Sequence, residues 1–187
     1  MNWASVFEVC YQKYPGLTEQ EVEHFISHWN NPLSEEEIAE IRERQRNPFP
    51  VTDPLHKLYH PFDPAKWSIP NKCLPAAYLD LLRYSNGGEF GNGARHFQFF
   101  SADELRAMML AYEFPEYMPE AIPFAMDGCG IHYAWDMRSI SEENEYPILV
   151  SHSGNLGYAD SAQVASTFLE LCTGTISAED LLYGNDE

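Results

Sequence analysis

Two pairs of side chains have the types and spacing that catalysis or metal binding could use. His24 and His28 are four residues apart on a predicted helix, so two imidazoles could share a metal ion. No third ligand follows at a matching spacing, which favours two partly exposed histidines without a metal. Cys129 and His132 flank a predicted tight turn and could form a thiolate–imidazole pair. Their spacing matches no nucleophile motif, so a small buried thiol is the favoured explanation.

Three further motifs lack the context that their chemistry requires. Asp127 and Asp136 could face each other as general acid and base, but the turn preference of Asp-Gly already explains Asp127. The run 152–154, His-Ser-Gly, lacks the flanking glycines of a nucleophile elbow. The run 91–93, Gly-Asn-Gly, precedes its predicted strand, whereas a dinucleotide loop follows one. The sequence therefore predicts no catalytic residue, no cofactor and no metal, and we expect a protein that is not an enzyme.

Charge is the compositional feature that limits the choice of partner. The 187 residues include 29 Asp and Glu but only 11 Lys and Arg, a formal net charge of −18, and residues 139–187 contain neither Lys nor Arg. Such a surface repels nucleic acid and anionic membranes and favours basic proteins. A strongly negative net charge more often reflects a generally solvated acidic surface. A dedicated docking face is the alternative explanation.

Length and composition predict one globular domain. Hydrophobic residues make up 44% of the chain, and no apolar run reaches the roughly 18 to 20 residues that a membrane helix needs. The N-terminus lacks a basic start followed by an apolar segment, so we expect a cytoplasmic protein. The four scattered cysteines, at positions 10, 73, 129 and 172, predict reduced, buried thiols.

The segment from Leu74 to Phe90 is predicted to organise the fold. Pro75 suits the first helical turn, and Tyr78, Leu81 and Leu82 share one helical face. The run 86–88, Asn-Gly-Gly, should end this helix because these residues tolerate positive φ.

Helices are predicted before this segment and a mixture of strands and helices after it. An apolar stripe of Trp3, Phe7, Cys10 and Tyr14 predicts a helix over 2–14. Thr18 with Glu21, and Ser34 with Glu37, are capping boxes that start two more helices, and prolines make 48–70 an extended connector packed on the core. Further predictions are strands at 96–100, 122–126, 131–136 and 147–151, helices starting at Ser101 and Ser177, a helix over 161–172, and a loop over 114–121.

The order of these segments resembles the SUKH superfamily, which includes the fungal cell-wall-assembly regulator and many bacterial immunity proteins. The resemblance covers about residues 70–175. The residues that carry it are Leu74-Pro75, Leu81-Leu82, Asn86-Gly87-Gly88, Phe99-Phe100-Ser101, Glu104-Leu105, Phe124, Asp127-Gly128-Cys129-Gly130, Tyr133-Ala134-Trp135-Asp136, Pro147-Ile148-Leu149-Val150 and Ala165-Ser166-Thr167-Phe168-Leu169.

The resemblance implies an α+β domain with a single, predominantly antiparallel sheet and helices packed around it. We expect one domain over 1–187, comprising a helical N-terminal extension (1–47), the connector (48–73) and the family core (74–175). The resemblance also implies a protein-binding role without catalytic residues.

Three functions remain open at this stage. The first is an immunity protein that neutralises a cognate toxin, such as a nuclease, through contact with a basic toxin surface. The second is a regulatory scaffold that binds endogenous proteins, and the third is a hydrolase that uses Cys129, His132 or Asp136. For the first function, the candidate contact residues are Glu89, Glu142, Glu143, Glu145 and Asp160.

Overall fold

One antiparallel sheet runs through the whole protein. The computed structural model describes residues 1–139 and 144–184. Within these ranges, seven strands lie side by side in sequence order, and each neighbouring pair is antiparallel. The predicted α+β class with one antiparallel sheet is confirmed. The strands are β1 (Val9–Lys13), β2 (Gly88–Asn92), β3 (Arg95–Phe99), β4 (Ala121–Met126), β5 (Ile131–Asp136), β6 (Ile148–His152) and β7 (Ala162–Ala165).

Helices lie between β1 and β2, between β3 and β4, and after β7. They are α1 (Glu19–His28), α2 (Glu35–Arg44), α3 (Ala76–Tyr84), α4 (Ala102–Ala111), α5 (Phe114–Tyr117), α6 (Phe168–Thr173) and α7 (Ala178–Tyr183). The capping boxes at Thr18, Ser34 and Ser101 form as predicted, with both reciprocal hydrogen bonds present. Each box satisfies backbone N–H groups that have no partner within the helix, so these starts are fixed by local sequence.

The two faces of the central strands are both buried. On one face, an aromatic cluster joins α3 and α6 to the sheet, with Tyr78 4.8 Å and Phe124 4.1 Å from Trp135 between ring centroids. On the other face, α4 and α5 pack over β4. All six residues of β5 are therefore buried, although their alternating sequence is that of a strand with one wet face.

Strand β1 occupies the place of the predicted helix over residues 2–14. Only Trp3–Ser5 forms a short 3-10 turn, after which the chain pairs with β2 at the edge of the sheet. Trp3 and Phe7 are buried as the stripe required, but Cys10 and Tyr14 are exposed. The helical interpretation is wrong because pairing with residues 88–91, far away in the sequence, decides the backbone conformation.

Pairing between strands also explains another difference between the predicted and the observed elements. The predicted helix over 161–172 divides into β7, which pairs with β6, and α6, which Thr167 caps. Strand β2 was not predicted because its sequence, Gly-Glu-Phe-Gly-Asn, has low strand propensity. Residues 114–117 form the short helix α5 within the predicted loop.

Three of the four cysteines are exposed and only Cys172 is buried, so the prediction of buried thiols is wrong for Cys10, Cys73 and Cys129.

Arg106 on α4 holds the N-terminal helices against the rest of the domain. Its Nε and Nη2 donate to the two carboxylate oxygens of Glu37 at 2.6 and 2.9 Å. Its Nη1 and Nη2 also donate to the carbonyl oxygens of Trp29, Asn31 and Pro32. One guanidinium thus satisfies the end of α1 and the start of α2 together. The division of the chain at residues 47 and 73 stays a prediction.

The turn at residues 86–88 is where several backbones come closest. Gly87 and Gly88 have φ values of +79° and +125°, as the sequence predicted for a glycine turn. A Cβ on Gly87 would lie 3.0 Å from both the Phe99 carbonyl oxygen and the Ser101 nitrogen. The Asn86 carboxamide oxygen accepts the N–H of Ala102 and so starts α4.

We expect Gly87→Ala to destabilise the domain by roughly 2 to 5 kcal/mol, combining a left-handed backbone penalty with steric overlap. Gly184→Ala is a matched control, because Gly184 has the same φ of +79° but no neighbour within 4 Å of an added Cβ. Urea unfolding measures the loss of unfolding free energy in both variants. Equal losses would show that the contacts at Gly87 have no energetic importance.

Candidate partner-binding surface

Glu89 lies within the sheet. It is a half-buried residue of β2, opposite Gln12 of β1 and Gln98 of β3. Its Oε1 accepts a hydrogen bond from Gln98 Nε2 at 2.7 Å. The sequence placed Glu89 beside the glycine turn, and the structure adds that its carboxylate is held in position by a neighbouring strand.

Two of the other candidate acids, Glu145 and Asp160, lie in the described residues shortly before β6 and β7. Glu145 precedes β6, and its Oε2 accepts the N–H of Phe168 at 3.0 Å, at the start of α6. An acidic side chain there complements the helix dipole. Asp160 is exposed and ends a 3-10 turn, Tyr158–Asp160. Glu142 and Glu143 lie outside the described residues.

Two basic side chains, Arg138 just after β5 and Lys72, are already paired within the protein. Arg138 donates to both carboxylate oxygens of Asp136 at 2.8 Å, and its guanidinium lies 3.3 Å from the centroid of the Tyr158 ring. Burial raises the pKa of Asp136, but the bonds and charge of Arg138 outweigh it and leave that pKa below its usual range. Lys72 donates to Glu120 at 3.2 Å.

Glu89 and Glu145 do not share one end of the sheet. The registers place Glu89 level with His132 and Ser151, near the end of β6, whereas Glu145 precedes the start of that strand. Four strand spacings across the sheet, about 19 Å, and six residues along it, about 20 Å, separate the two by roughly 28 Å. A standard interface covers about 800 Å² on each partner, or a disc roughly 30 Å wide. The two acids would therefore lie at opposite edges of one interface.

His24 and His28 lie side by side on α1, with tilted rings whose centroids are 4.2 Å apart. His28 Nδ1 is 2.8 Å from the His24 carbonyl oxygen. Within the part of the chain that the structure describes, no group of three potential metal ligands exists. The two histidines instead line a groove of about 610 Å³ between α1 and α4, together with Glu21 and Asp103.

Cys129, His132 and Asp136 do not form a catalytic group. Cys129 is in an exposed turn, and its N–H donates to the carboxylate of Asp127, which confirms the turn role of that aspartate. Asp136 is four residues beyond His132 on an extended strand, roughly 13 Å away. His132 lies between these two residues in the sequence and is fully buried. The hydrolase interpretation therefore lacks the required group of neighbouring side chains.

His132 belongs to a buried polar pair that sequence reasoning missed. Its ring lies among Phe100, Tyr112 and Phe114, with centroids 4.3 to 6.4 Å away. Neither ring nitrogen has a hydrogen-bond partner, and the same holds for the Ser151 hydroxyl, opposite His132 on β6. Burial lowers the pKa of His132 to about 4.

These features define an α+β domain in which Cys129, His132 and Asp136 form no catalytic group. The profile of the SMI1/KNR4 family (SUKH-1) matches residues 71–173, more than half of the chain. The protein belongs to this family, and the suspected SUKH membership is confirmed. No curated protein gave a significant match.

The family gives the coarse function. It consists generally of non-catalytic immunity and regulatory domains that act by binding proteins. A protein partner is therefore the general expectation for this chain as well. Separately, no helix in the described ranges has the length and apolar character needed to cross a membrane.

We predict that His132→Leu makes the protein less sensitive to acid. The folded state keeps His132 neutral down to a pKa of about 4, whereas the unfolded chain binds a proton near pH 6.5. The wild type therefore loses stability as pH falls from about 6.5 to 4, by roughly 2 kcal/mol at pH 5. His132→Leu should gain by this amount at pH 5 relative to pH 8 in urea unfolding, while the exposed control His60→Leu should not. A pH-independent difference would contradict the assignment.

Proposed function

We propose that the protein is an immunity protein that neutralises a cognate toxin by direct binding to a basic surface of that toxin. A nuclease is a suitable target class, because nucleases need basic surfaces to hold phosphates. The observation that carries the proposal is the acidic charge, a formal net of −18 with neither Lys nor Arg in residues 139–187, while Arg138 and Lys72 are paired internally with Asp136 and Glu120.

Electrostatic complementarity affects association more than the final affinity. A net charge of −18 attracts a basic partner over about one Debye length, 8 Å at physiological salt. Close charge pairs at the centre of an interface then add coupling energies of about 1.5 to 7 kcal/mol, whereas pairs at its rim contribute little. The acidic surface thus supports fast, salt-dependent binding.

The N-terminal region outside the family match supports a second candidate function. Helices α1 and α2 precede residue 71, and Arg106 fixes them to the family core. This additional surface suits a regulatory protein that binds endogenous partners. The genomic neighbourhood separates the two functions, because an adjacent toxin gene favours immunity.

The immunity function predicts that this protein rescues a host from the toxin encoded beside its gene. Coexpression with that toxin should restore growth, and calorimetry on the purified pair should show one stable complex. Growth arrest despite full expression, together with the absence of a complex, would overturn the proposal.

We expect Asp160→Lys to slow association with that toxin several-fold at low salt and to flatten the salt dependence, because steering depends on charge near the contact. Glu23→Lys is the control, since it makes the same charge change on exposed α1. Stopped-flow kinetics measure both. If both variants slow association equally, net charge alone is responsible and Asp160 is not in the interface.

A further inference from the structure

One face of the sheet is exposed on strands β1 to β3, and we call it the open face. It consists of Tyr11, Gln12, Glu89, His96 and Gln98. Helices α4 and α5 cover β4 on the same side of the sheet, but Tyr11 on β1 remains 61% exposed. An aromatic side chain this exposed on a regular sheet is typical of a contact surface.

A β-bulge brings Tyr11 onto the open face. The register between β1 and β2 shifts between Cys10 and Gln12, so one extra residue is accommodated there. The Tyr11 ring then lies across Gly91, where an added Cβ would be 3.2 Å from the ring, and 5.4 Å from the His96 ring. Glycine at position 91 leaves the space that this ring fills.

The cations of these strands lie on the opposite face. Lys13 Nζ is 3.9 Å from the centroid of the Tyr84 ring on α3. Arg95 is buried and donates to the carbonyl oxygens of Leu171 and Ile176. Strands β1 to β3 contain no other Lys or Arg, so the open face carries the Glu89 carboxylate without a Lys or Arg from these strands.

A crevice of about 200 Å³ opens between this face and α4. Its lining includes Tyr14, Glu89, Gln98, Glu104 and Met108. Each carboxylate has one oxygen in a hydrogen bond within the protein, Glu89 Oε1 with Gln98 Nε2 and Glu104 Oε2 with the Ser101 N–H, so the other oxygen of each is the acceptor offered to a guanidinium. The aromatic ring offers a stacking surface, and the methionine suits an aliphatic stem. The volume is several times the roughly 30 Å³ of one water molecule.

We propose that the open face docks a basic protein partner and that the crevice receives an arginine side chain of that partner. The inference rests on the proposed function, since it names the surface through which the toxin would be held. Tyr11 and Glu89 are then the residues whose contacts matter most, because aromatic anchors and desolvated charge pairs dominate interfaces.

Titration of the wild-type protein with N-acetyl-arginine amide tests the crevice without any toxin. NMR should show saturable amide shifts concentrated in β1 to β3 and the first turns of α4, and Glu89→Gln should weaken them several-fold. N-acetyl-citrulline amide is the neutral control and should produce none. Equal shifts with citrulline, or shifts centred on the glutamates of α1 and α2, would overturn the proposal.

The double variant Tyr11→Ala, Glu89→Gln tests the surface in the toxin complex. We expect at least tenfold weaker binding, against less than twofold for Tyr183→Ala, Glu23→Gln. Tyr183 is a matched control because it is 62% exposed, close to the 61% of Tyr11. Equal urea midpoints would show that both variants are folded.

The outcomes separate the two proposals. A toxin complex that is insensitive to the open-face variant would reject this surface and leave the immunity function standing. Absence of any toxin complex would reject the immunity function, and the arginine titration would still decide whether the crevice binds a guanidinium.

Discussion

The close backbone contacts around Gly16, Gly87 and Gly88 are the constraint on which the rest of the structure depends. A Cβ on Gly16 would lie 1.8 Å from the Arg83 carbonyl oxygen at the end of α3, and one on Gly88 would lie 2.6 Å from the Gln12 carbonyl oxygen of β1. These approaches let β1 pair with β2 while α1 sits against α3. Residues with side chains would push the N-terminal region away, and the open face would lose its edge strand.

Burial on both faces of the central strands explains the second characteristic of the fold. With α3 and α6 on one side and α4 and α5 on the other, β5 has no wet face, so His132 and Ser151 are enclosed without hydrogen-bond partners. Each such group reduces stability by roughly 1 to 3 kcal/mol relative to a satisfied one. Tight aromatic packing around Trp135 offsets this loss, because large side chains contribute the most apolar area.

Several arginine side chains are bound within the protein, which limits the positive charge accessible on its surface. Arg95 donates to the carbonyl oxygens of Leu171 and Ile176, Arg106 to Glu37 and Arg138 to Asp136, so several of the few basic groups are bound within the fold. These side chains therefore contribute to stability and are engaged before any partner arrives.

Local sequence determined the elements that short-range interactions control. Thr18, Ser34 and Ser101 fixed helix starts because each capping box closes within four residues, and Asn86-Gly87-Gly88 fixed a turn because only such residues accept positive φ readily. The order of these motifs was also enough to identify the family.

Long-range pairing decided what the sequence could not. Residues 9–13 carry a helical apolar stripe but form a strand, since their partners lie nearly eighty residues away in β2. The surface that Tyr11 and Glu89 share therefore could not be predicted from either segment. The sequence by itself determined the family and the starts of the helices that capping boxes begin, whereas the tertiary structure decided the edge strand and the surface it builds, because non-local hydrogen bonds override local periodicity.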